Sequence, residues 1–228
     1  MELKDKSKKF PDFPGIYYWY DKQGEILYVG RATSLKRRIA QYFQKKLLDP
    51  RIEEMVATAK DIKFKQTDTI LDSIVLEANE IKKYWPKYNI VQKDDKSFIY
   101  IVIPKTDYPH PMLVRARELK KFPAKQAHIF GPYQAVHLAK TALRIIRRIF
   151  PWSTCKPGQA KPCFEHQLGL CAGICVDKID KKQYQQNIKH IVWFLSGKKK
   201  QLLKRLAKES PAQAEAMQHI QDVALITR

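Results

Sequence analysis

The stretch Gly15-Ile16-Tyr17-Tyr18-Trp19-Tyr20-Asp21-Lys22-Gln23-Gly24-Glu25-Ile26-Leu27-Tyr28-Val29-Gly30 decides how this chain is read. Aromatic and β-branched runs on either side of Asp-Lys-Gln-Gly-Glu predict two short strands, 15–20 and 26–30, around a hairpin turn. Each strand then brings one tyrosine, Tyr17 or Tyr28, to the same small site. The second strand runs straight into Arg31-Ala-Thr-Ser-Leu-Lys36-Arg37-Arg38, and Arg38, Gln41 and Tyr42 follow at helical spacing. The result is a cluster of phenols and guanidiniums without a thiol or an imidazole.

Such a cluster suits phosphodiester chemistry once a carboxylate joins it. A tyrosine can relay a proton from water, and the arginine fork fits phosphate oxygens bidentately. The carboxylate the sequence offers is Glu77. In Ile70-Leu71-Asp72-Ser73-Ile74-Val75-Leu76-Glu77-Ala78-Asn79-Glu80-Ile81 the apolar positions 70, 71, 74, 75, 78 and 81 share one helical face. Glu77 lies beside that face, where it can look into a site. Taken singly, Tyr17 and Tyr28 are ordinary half-buried strand aromatics, and Glu77 and Arg38 are ordinary solvated helix residues.

Together, and in this order, these residues resemble the GIY-YIG nuclease superfamily. Pro14-Gly-Ile-Tyr, Gly24-Glu-Ile-Leu-Tyr-Val-Gly-Arg-Ala, Leu35-Lys-Arg-Arg, Gln41-Tyr-Phe, Leu76-Glu, Ile81-Lys-Lys-Tyr-Trp-Pro-Lys-Tyr-Asn-Ile and Asp94-Asp-Lys-Ser resemble the nuclease domain of the UvrC family over roughly residues 10 to 104. That family makes incisions in bacterial nucleotide excision repair. The resemblance implies that Tyr28 stands nearest the attacking water with Tyr17 beside it. It also implies that Glu77 holds one divalent cation, Mg²⁺ or Mn²⁺, that Arg38 and Tyr42 contact the scissile phosphate or the cation's water shell, and that Asn89 supports the site. Where the family usually has lysine after Tyr-Val-Gly, this chain has Arg31, which keeps the charge but replaces a compact ammonium with a planar fork.

The charge balance agrees with a polyanionic partner. Lys plus Arg number 43 against 23 Asp plus Glu, a formal net charge of +20. Double-stranded DNA is the economical partner, with affinity that falls as salt rises. Basic residues expected to meet it are Lys36 and Arg37 in the first helix, and Arg144, Arg147 and Arg148 in a helix over about 134–149. That second helix is either an ordinary amphipathic helix packed on a core or a DNA contact. Trp152 and Trp193 are either core anchors or stacking platforms for bases. No apolar run is long enough to cross a bilayer and no secretory signal follows Met1. With the resemblance, this gives a cytoplasmic protein that does not engage membranes.

All four cysteines fall in one loop-like segment, Cys155-x7-Cys163-x7-Cys171-x3-Cys175, punctuated by Pro157, Gly158, Pro162, Gly169 and Gly173. Thiols confined to one short irregular segment point to metal rather than disulfides. Four thiolates can hold zinc tetrahedrally or a 4Fe-4S cube, and the spacing does not choose between them. The surrounding Phe130-Gly-Pro-Tyr, Arg144-Ile-Ile-Arg-Arg-Ile-Phe-Pro and His166-Gln-Leu-Gly-Leu-Cys-Ala-Gly-Ile-Cys resemble the cysteine-rich region of the UvrC family, which implies the 4Fe-4S cluster, with zinc the alternative. His166 is expected on the surface or behind a ligand.

The expected architecture is an α/β GIY-YIG nuclease domain, a small mixed sheet flanked by helices, over 1–104. Connecting strands and a basic helix follow over 105–150, a cysteine-rich metal segment over 151–180, and a helical region over 181–228. Strands are expected near 15–20, 26–30, 62–67, 98–103, 112–115 and 127–130, and helices near 34–44, 50–59, 70–84, 134–149, 181–196, 198–209 and 211–225. Ser34 is the expected N-cap of the first helix. The resemblance implies a damage-loading UvrB-type helicase as partner, because residues 216–228 resemble a remnant of the segment that docks it. It implies hydrolysis of a phosphodiester bond on the 3′ side of a lesion. Two rival readings are a DNA-binding or partner-docking module with a weak nuclease fold, and a stand-alone structure-selective GIY-YIG nuclease.

Overall fold

The computed structural model describes residues 3–44, 49–89 and 98–219. The Asp94-Asp-Lys-Ser motif and the terminal stretch from residue 220 lie outside the described residues. The chain forms two compact units, Met1–Lys96 and Ser97–Arg228.

In the first unit, β1 (Gly15–Tyr20), β2 (Ile26–Ala32) and β3 (Asp61–Gln66) form an antiparallel sheet in the order β2-β1-β3. Because β1 is central, it is buried on both faces and reads as an unbroken apolar run. Alternation along it divides the core in two. Tyr17 and Trp19 pack with Leu35 and Ile39 of α2 (Leu35–Gln41), Tyr42, and Met55 of α3 (Pro50–Thr58). Ile16, Tyr18 and Val29 pack on the other face with Ile81 of α4 (Ile70–Tyr84).

The helix starts follow capping chemistry. Ser34 accepts a hydrogen bond from the Arg37 amide at 3.1 Å, as its position in the sequence predicts. Asp49 caps α3 ahead of Pro50, and Thr69 caps α4 by accepting from the Asp72 amide at 3.0 Å. These caps satisfy amides that have no partner inside their own helix. The short helix α1 (Leu3–Ser7) precedes the sheet, a feature its polar sequence did not announce.

The strand expected at 98–103 forms as β4 (Ile99–Pro104), but it is the central strand of a second sheet. It pairs antiparallel with β5 (Met112–Arg115) and β6 (Ala127–Tyr133) in the order β5-β4-β6. By contact, β4 therefore falls in the second compact unit, inside the 1–104 span expected for the nuclease domain. Periodicity identified the strand, but the partners of its backbone groups assign it to the second unit. Helix α5 (Val136–Ile149) packs against β4 and β6. On the opposite face Val102, Val114 and Ala127 form a small core.

After the cysteine segment, which contains the single turn α6 (Phe164–Gln167), come α7 (Lys181–Leu195), α8 (Lys199–Glu209) and α9 (Pro211–Gln218). Tyr184 of α7 fastens this region: its hydroxyl donates to the Pro109 carbonyl at 2.8 Å and accepts from the Ser153 amide at 3.1 Å. None of the described helices is long and apolar enough to cross a membrane.

Candidate functional site: a tyrosine and arginine cluster and a four-thiol centre

Glycine makes the first site possible. A Cβ at Gly30 would sit 2.5 Å from both Cζ and Oη of Tyr17 and 2.7 Å from Cε1 of Tyr28, so the tyrosines can close over β2 only where no side chain stands. The same holds at Gly15, where a Cβ would meet the Lys65 carbonyl oxygen at 2.5 Å across the sheet. Gly15 and Gly30 thus serve packing and not unusual backbone angles, whereas Gly24 in the turn has a φ of +84°.

Three phenols and one guanidinium meet over that gap. The Tyr17 and Tyr42 hydroxyls share a hydrogen bond of 2.8 Å, and Arg38 Nε donates to Tyr17 Oη at 3.3 Å. With one Tyr17 lone pair taken by Arg38, its proton can go to Tyr42. Arg38 also lies 5.3 Å from the Tyr42 ring centroid and donates from Nη1 to Gln41 Oε1 at 3.0 Å. The Tyr28 ring lies 6.1 Å from that of Tyr17. Tyr17 and Tyr42 are buried, while Tyr28 is partly exposed on the open side. Burial pushes the Tyr17 hydroxyl well above its ordinary range, with Tyr28 and Tyr42 adding to the shift and Arg38 opposing it. Tyr28 is raised by burial and by Tyr42. Both phenols therefore hold their protons at neutral pH in the protein alone.

Glu77 of α4 is 5% exposed. Arg31 Nε lies 3.4 Å from its Oε2. Burial pushes the Glu77 carboxyl up to about 7, against the opposing pull of Arg31 and, more weakly, Arg38. A buried carboxylate held near neutrality, with one partial counter-charge, retains capacity for a cation. No three His, Cys, Asp or Glu side chains converge around it among the described residues. That suits Mg²⁺, which is bound through one or two carboxylates and keeps water and phosphate oxygens on its remaining positions.

Asn89 does not face the phenols. Its Oδ1 accepts from the Val29 amide and its Nδ2 donates to the Val29 carbonyl, both at 2.7 Å, with Asn89 2% exposed. Since β2 is an edge strand, this side chain stands in for a neighbouring strand at the residue between Tyr28 and Gly30. Lys36 and Arg37 are exposed on α2, with Arg37 3.3 Å from Asp12.

Of the three α5 arginines expected to share a DNA-facing surface, Arg144 and Arg148 are exposed but Arg147 is not available. It donates to Glu165 twice (2.9 and 2.6 Å), to the Leu170 carbonyl at 2.8 Å and to the Trp152 carbonyl at 3.0 Å, and it stacks 5.1 Å from the Trp152 ring. Arg147 is the clasp that ties the cysteine segment to α5. Helical spacing places the three arginines near one another but does not reveal Glu165, which lies 18 residues away. Trp152 is accordingly a buried anchor.

That clasp frames the second site. The sulfurs of Cys155, Cys163, Cys171 and Cys175 all lie within 4.8 Å of one another, Cys171 and Cys175 buried and Cys155 and Cys163 partly exposed. The Ser153 hydroxyl is 3.0 Å from Cys171 Sγ, and the Gly173 amide donates to the same sulfur at 3.4 Å. His166 is not among the converging groups; its Nδ1 is 3.1 Å from the Cys171 carbonyl oxygen. Burial and the neighbouring thiols push Cys155 up, so a metal must displace protons to bind. Metal–sulfur bonds of about 2.3 Å place the sulfurs of one tetrahedral ion about 3.8 Å apart. The Cys155 and Cys171 sulfurs, 3.6 Å apart, are at that spacing, and the whole set within 4.8 Å is close to it. A four-iron cube seats each thiolate on a different iron and needs the sulfurs farther apart.

Comparison with known proteins covers both units. A family described as the UvrC-like GIY-YIG domain matches residues 13–90, and one described as the UvrC/Cho excinuclease, middle domain, matches residues 98–194. The UvrABC system protein C of Thermoanaerobacter sp. (strain X514) is 36% identical over 225 residues, covering 95% of this chain and 36% of that protein. The protein of the same name from Methanospirillum hungatei is 37% identical over 218 residues, covering 96% of this chain and 41% of that protein. This chain therefore spans well under half the length of these relatives. The crystal structure of the GIY-YIG N-terminal endonuclease domain of UvrC from Thermotoga maritima, bound to magnesium as its catalytic divalent cation, is 29% identical with a TM-score of 0.37, covering 40% of this chain and 100% of that one. The chain thus carries a UvrC-like GIY-YIG domain followed by a UvrC/Cho excinuclease middle domain.

Proposed function

We propose that this chain is a metal-dependent DNA endonuclease of nucleotide excision repair that hydrolyses a phosphodiester bond on the 3′ side of a lesion. The observation that carries this reading is the linked Tyr17, Tyr42 and Arg38 cluster beside Tyr28, with one buried carboxylate, Glu77, on the adjoining helix. Glu77 would hold one Mg²⁺ or Mn²⁺ ion, which when bound supplies Lewis-acid polarisation of the phosphate and a lowered pKa for water. Tyr28, on the open side, takes a hydrogen bond from the attacking water. As the water's proton reaches the Tyr28 oxygen, the Tyr28 hydroxyl releases its own proton to solvent water, and the leaving oxygen of the broken phosphodiester bond takes a proton from solvent, so no phenol need start ionised. Arg38 stabilises negative charge on the phosphate. Arg31 keeps Glu77 oriented, and Asn89 fixes the β2 backbone beneath Tyr28.

Exposed Lys36, Arg37, Arg144 and Arg148 are proposed to meet the backbone of double-stranded DNA. A damage-loading UvrB-type helicase is proposed as partner and the cytoplasm as setting, both supported by the family. The four thiols are proposed to hold a structural or redox-sensing metal centre. The family resemblance favours a 4Fe-4S cube, and the closeness of the sulfurs favours one zinc ion. Aerobic and anaerobic preparations separate the two, since a cube absorbs broadly in the visible and bleaches on oxidation whereas zinc is colourless.

The test of the main reading is cleavage of an end-labelled duplex bearing one bulky lesion, with Mg²⁺ or Mn²⁺, with and without the damage-loading protein, and with Glu77→Gln alongside. A nick 3′ to the lesion that is absent in the variant is the expected result. Salt-sensitive binding without a cut under any condition would instead leave a DNA-binding module on a nuclease fold.

A further inference from the structure

Helix α8 carries a basic surface that neither of the two sites uses. Its apolar positions Leu202 and Leu206 are buried, and Lys200, Lys204 and Lys208 stand at i, i+4 and i+8 along its exposed side. Like charges at this spacing destabilise a helix. Neither Lys204 nor Lys208 has an ion-pair partner among the described residues. The row therefore carries an electrostatic cost that no ion pair among the described residues offsets.

Beside it is an open cleft of about 610 Å³, lined by Trp193 of α7 and by Gln201, Lys204, Arg205, Lys208 and Glu209. Trp193 is only partly buried. Lys189 Nζ lies 5.4 Å and the Arg205 guanidinium 5.8 Å from its ring centroid. Arg205 is itself held in place, with Nε donating to Glu209 Oε1 at 2.7 Å, while Glu209 Oε2 accepts from Gln186 at 3.3 Å. The cleft thus combines a fixed aromatic face, a fixed guanidinium and two unpaired ammonium groups about 6 Å apart along the helix axis.

We infer that this cleft binds a segment of single-stranded DNA, with a base laid against Trp193 in place of a cationic side chain and consecutive phosphates on Lys204 and Lys208. An aromatic platform flanked by cations is the general means of holding single strands, because every base has a π-face and every linkage a charge. A paired duplex offers its phosphates but not its base faces, so Trp193 has no partner there. An acidic protein segment would use the lysines and leave the ring idle. The inference rests on the nucleic-acid reading above, though not on cleavage.

The test is binding of a fluorescein-labelled poly-dT oligonucleotide and of a blunt duplex to the full chain, followed by anisotropy across a salt series. Trp193→Leu keeps apolar bulk and is expected to weaken the single strand roughly 5- to 100-fold while leaving the duplex unchanged. Lys204→Gln/Lys208→Gln is expected to lower the single-strand salt slope by about 1.4, from about 0.7 per lost phosphate contact. Thermal melts of both variants close to that of the parent establish that they fold. Glu77→Gln, run in parallel, should bind poly-dT normally, so a failed nuclease reading would show in cleavage and not here. Parent-like poly-dT affinity and salt slope in both variants would overturn the inference. A loss confined to the lysine variant and equal on duplex would also overturn it, leaving only a nonspecific anion patch.

Discussion

The two sites of this chain are built by opposite means. The tyrosine cluster stands on regular structure: β1 and β2 set Tyr17 and Tyr28 on directly paired strands, α2 and its C-cap bring Arg38 and Tyr42, and α4 brings Glu77. The thiol centre stands on irregular chain between α5 and α7, where one short helical turn and a few side-chain bonds carry the geometry. Backbone ladders hold the first site to its shape with or without a ligand. In the second, Arg147 does the work that ladders do elsewhere, together with the metal proposed for the thiols, which is why so many of the Arg147 donors are committed to one loop.

That contrast can be broken most decisively at Glu77. Glu77→Gln should reduce metal-dependent cleavage by about 10³-fold or more, since it removes the buried carboxylate beside the cluster, while oligonucleotide affinity stays within about twofold of the parent. Equal cleavage in the variant would place the cation elsewhere. Tyr28→Phe is the next largest effect: loss of the phenol on the open side should cost about 10²-fold in single-turnover rate, in the range of a proton-relay group, with unchanged half-saturating Mg²⁺.

The second site should respond in stability and not in chemistry. Arg147→Ala removes the partner of Glu165, whose side chain is only 35% exposed, and leaves two carbonyls short of a donor. Allowing for the solvent near Glu165, the expected loss is about 2–3 kcal/mol, together with reduced metal content by elemental analysis. Cleavage per folded molecule by the first unit should survive. If Arg147→Ala instead keeps metal and melting temperature but weakens DNA binding, the clasp assignment falls.

A smaller effect sharpens the first site. Because burial raises the Glu77 carboxyl to about 7, a cation must compete with a proton below that pH. Apparent Mg²⁺ affinity should tighten about tenfold per pH unit below about 7 and flatten above it. The linkage to folding has a definite sign: the folded state holds the Glu77 proton more tightly than the unfolded state. Metal-free stability should therefore decline as pH rises from about 4.5 to about 7, and Glu77→Gln should abolish that decline, gaining about 1–3 kcal/mol at pH 8. A pH-independent difference between the two proteins would contradict a buried, ionising Glu77.

The sequence by itself determined the hairpin, the phenol and guanidinium cluster, the helix that carries Glu77, Ser34 as a cap and the grouping of four thiols. Each of these is encoded within one continuous stretch of the chain, by alternation, by helical spacing or by a turn, and the local backbone imposes those periods on its own. Tertiary structure alone decided that β4 belongs to the second sheet, that Asn89 substitutes for a strand beside Val29, and that Arg147 is spent on Glu165, Leu170 and Trp152. It also decided that Gly30 is glycine because Tyr17 lies across it. Those outcomes depend on partners far away in the chain, and a basic residue on a helix reads the same in sequence whether its charge meets a phosphate or a buried carboxylate. Only the packing that brings the partner within hydrogen-bond reach, and removes the water between them, separates the two.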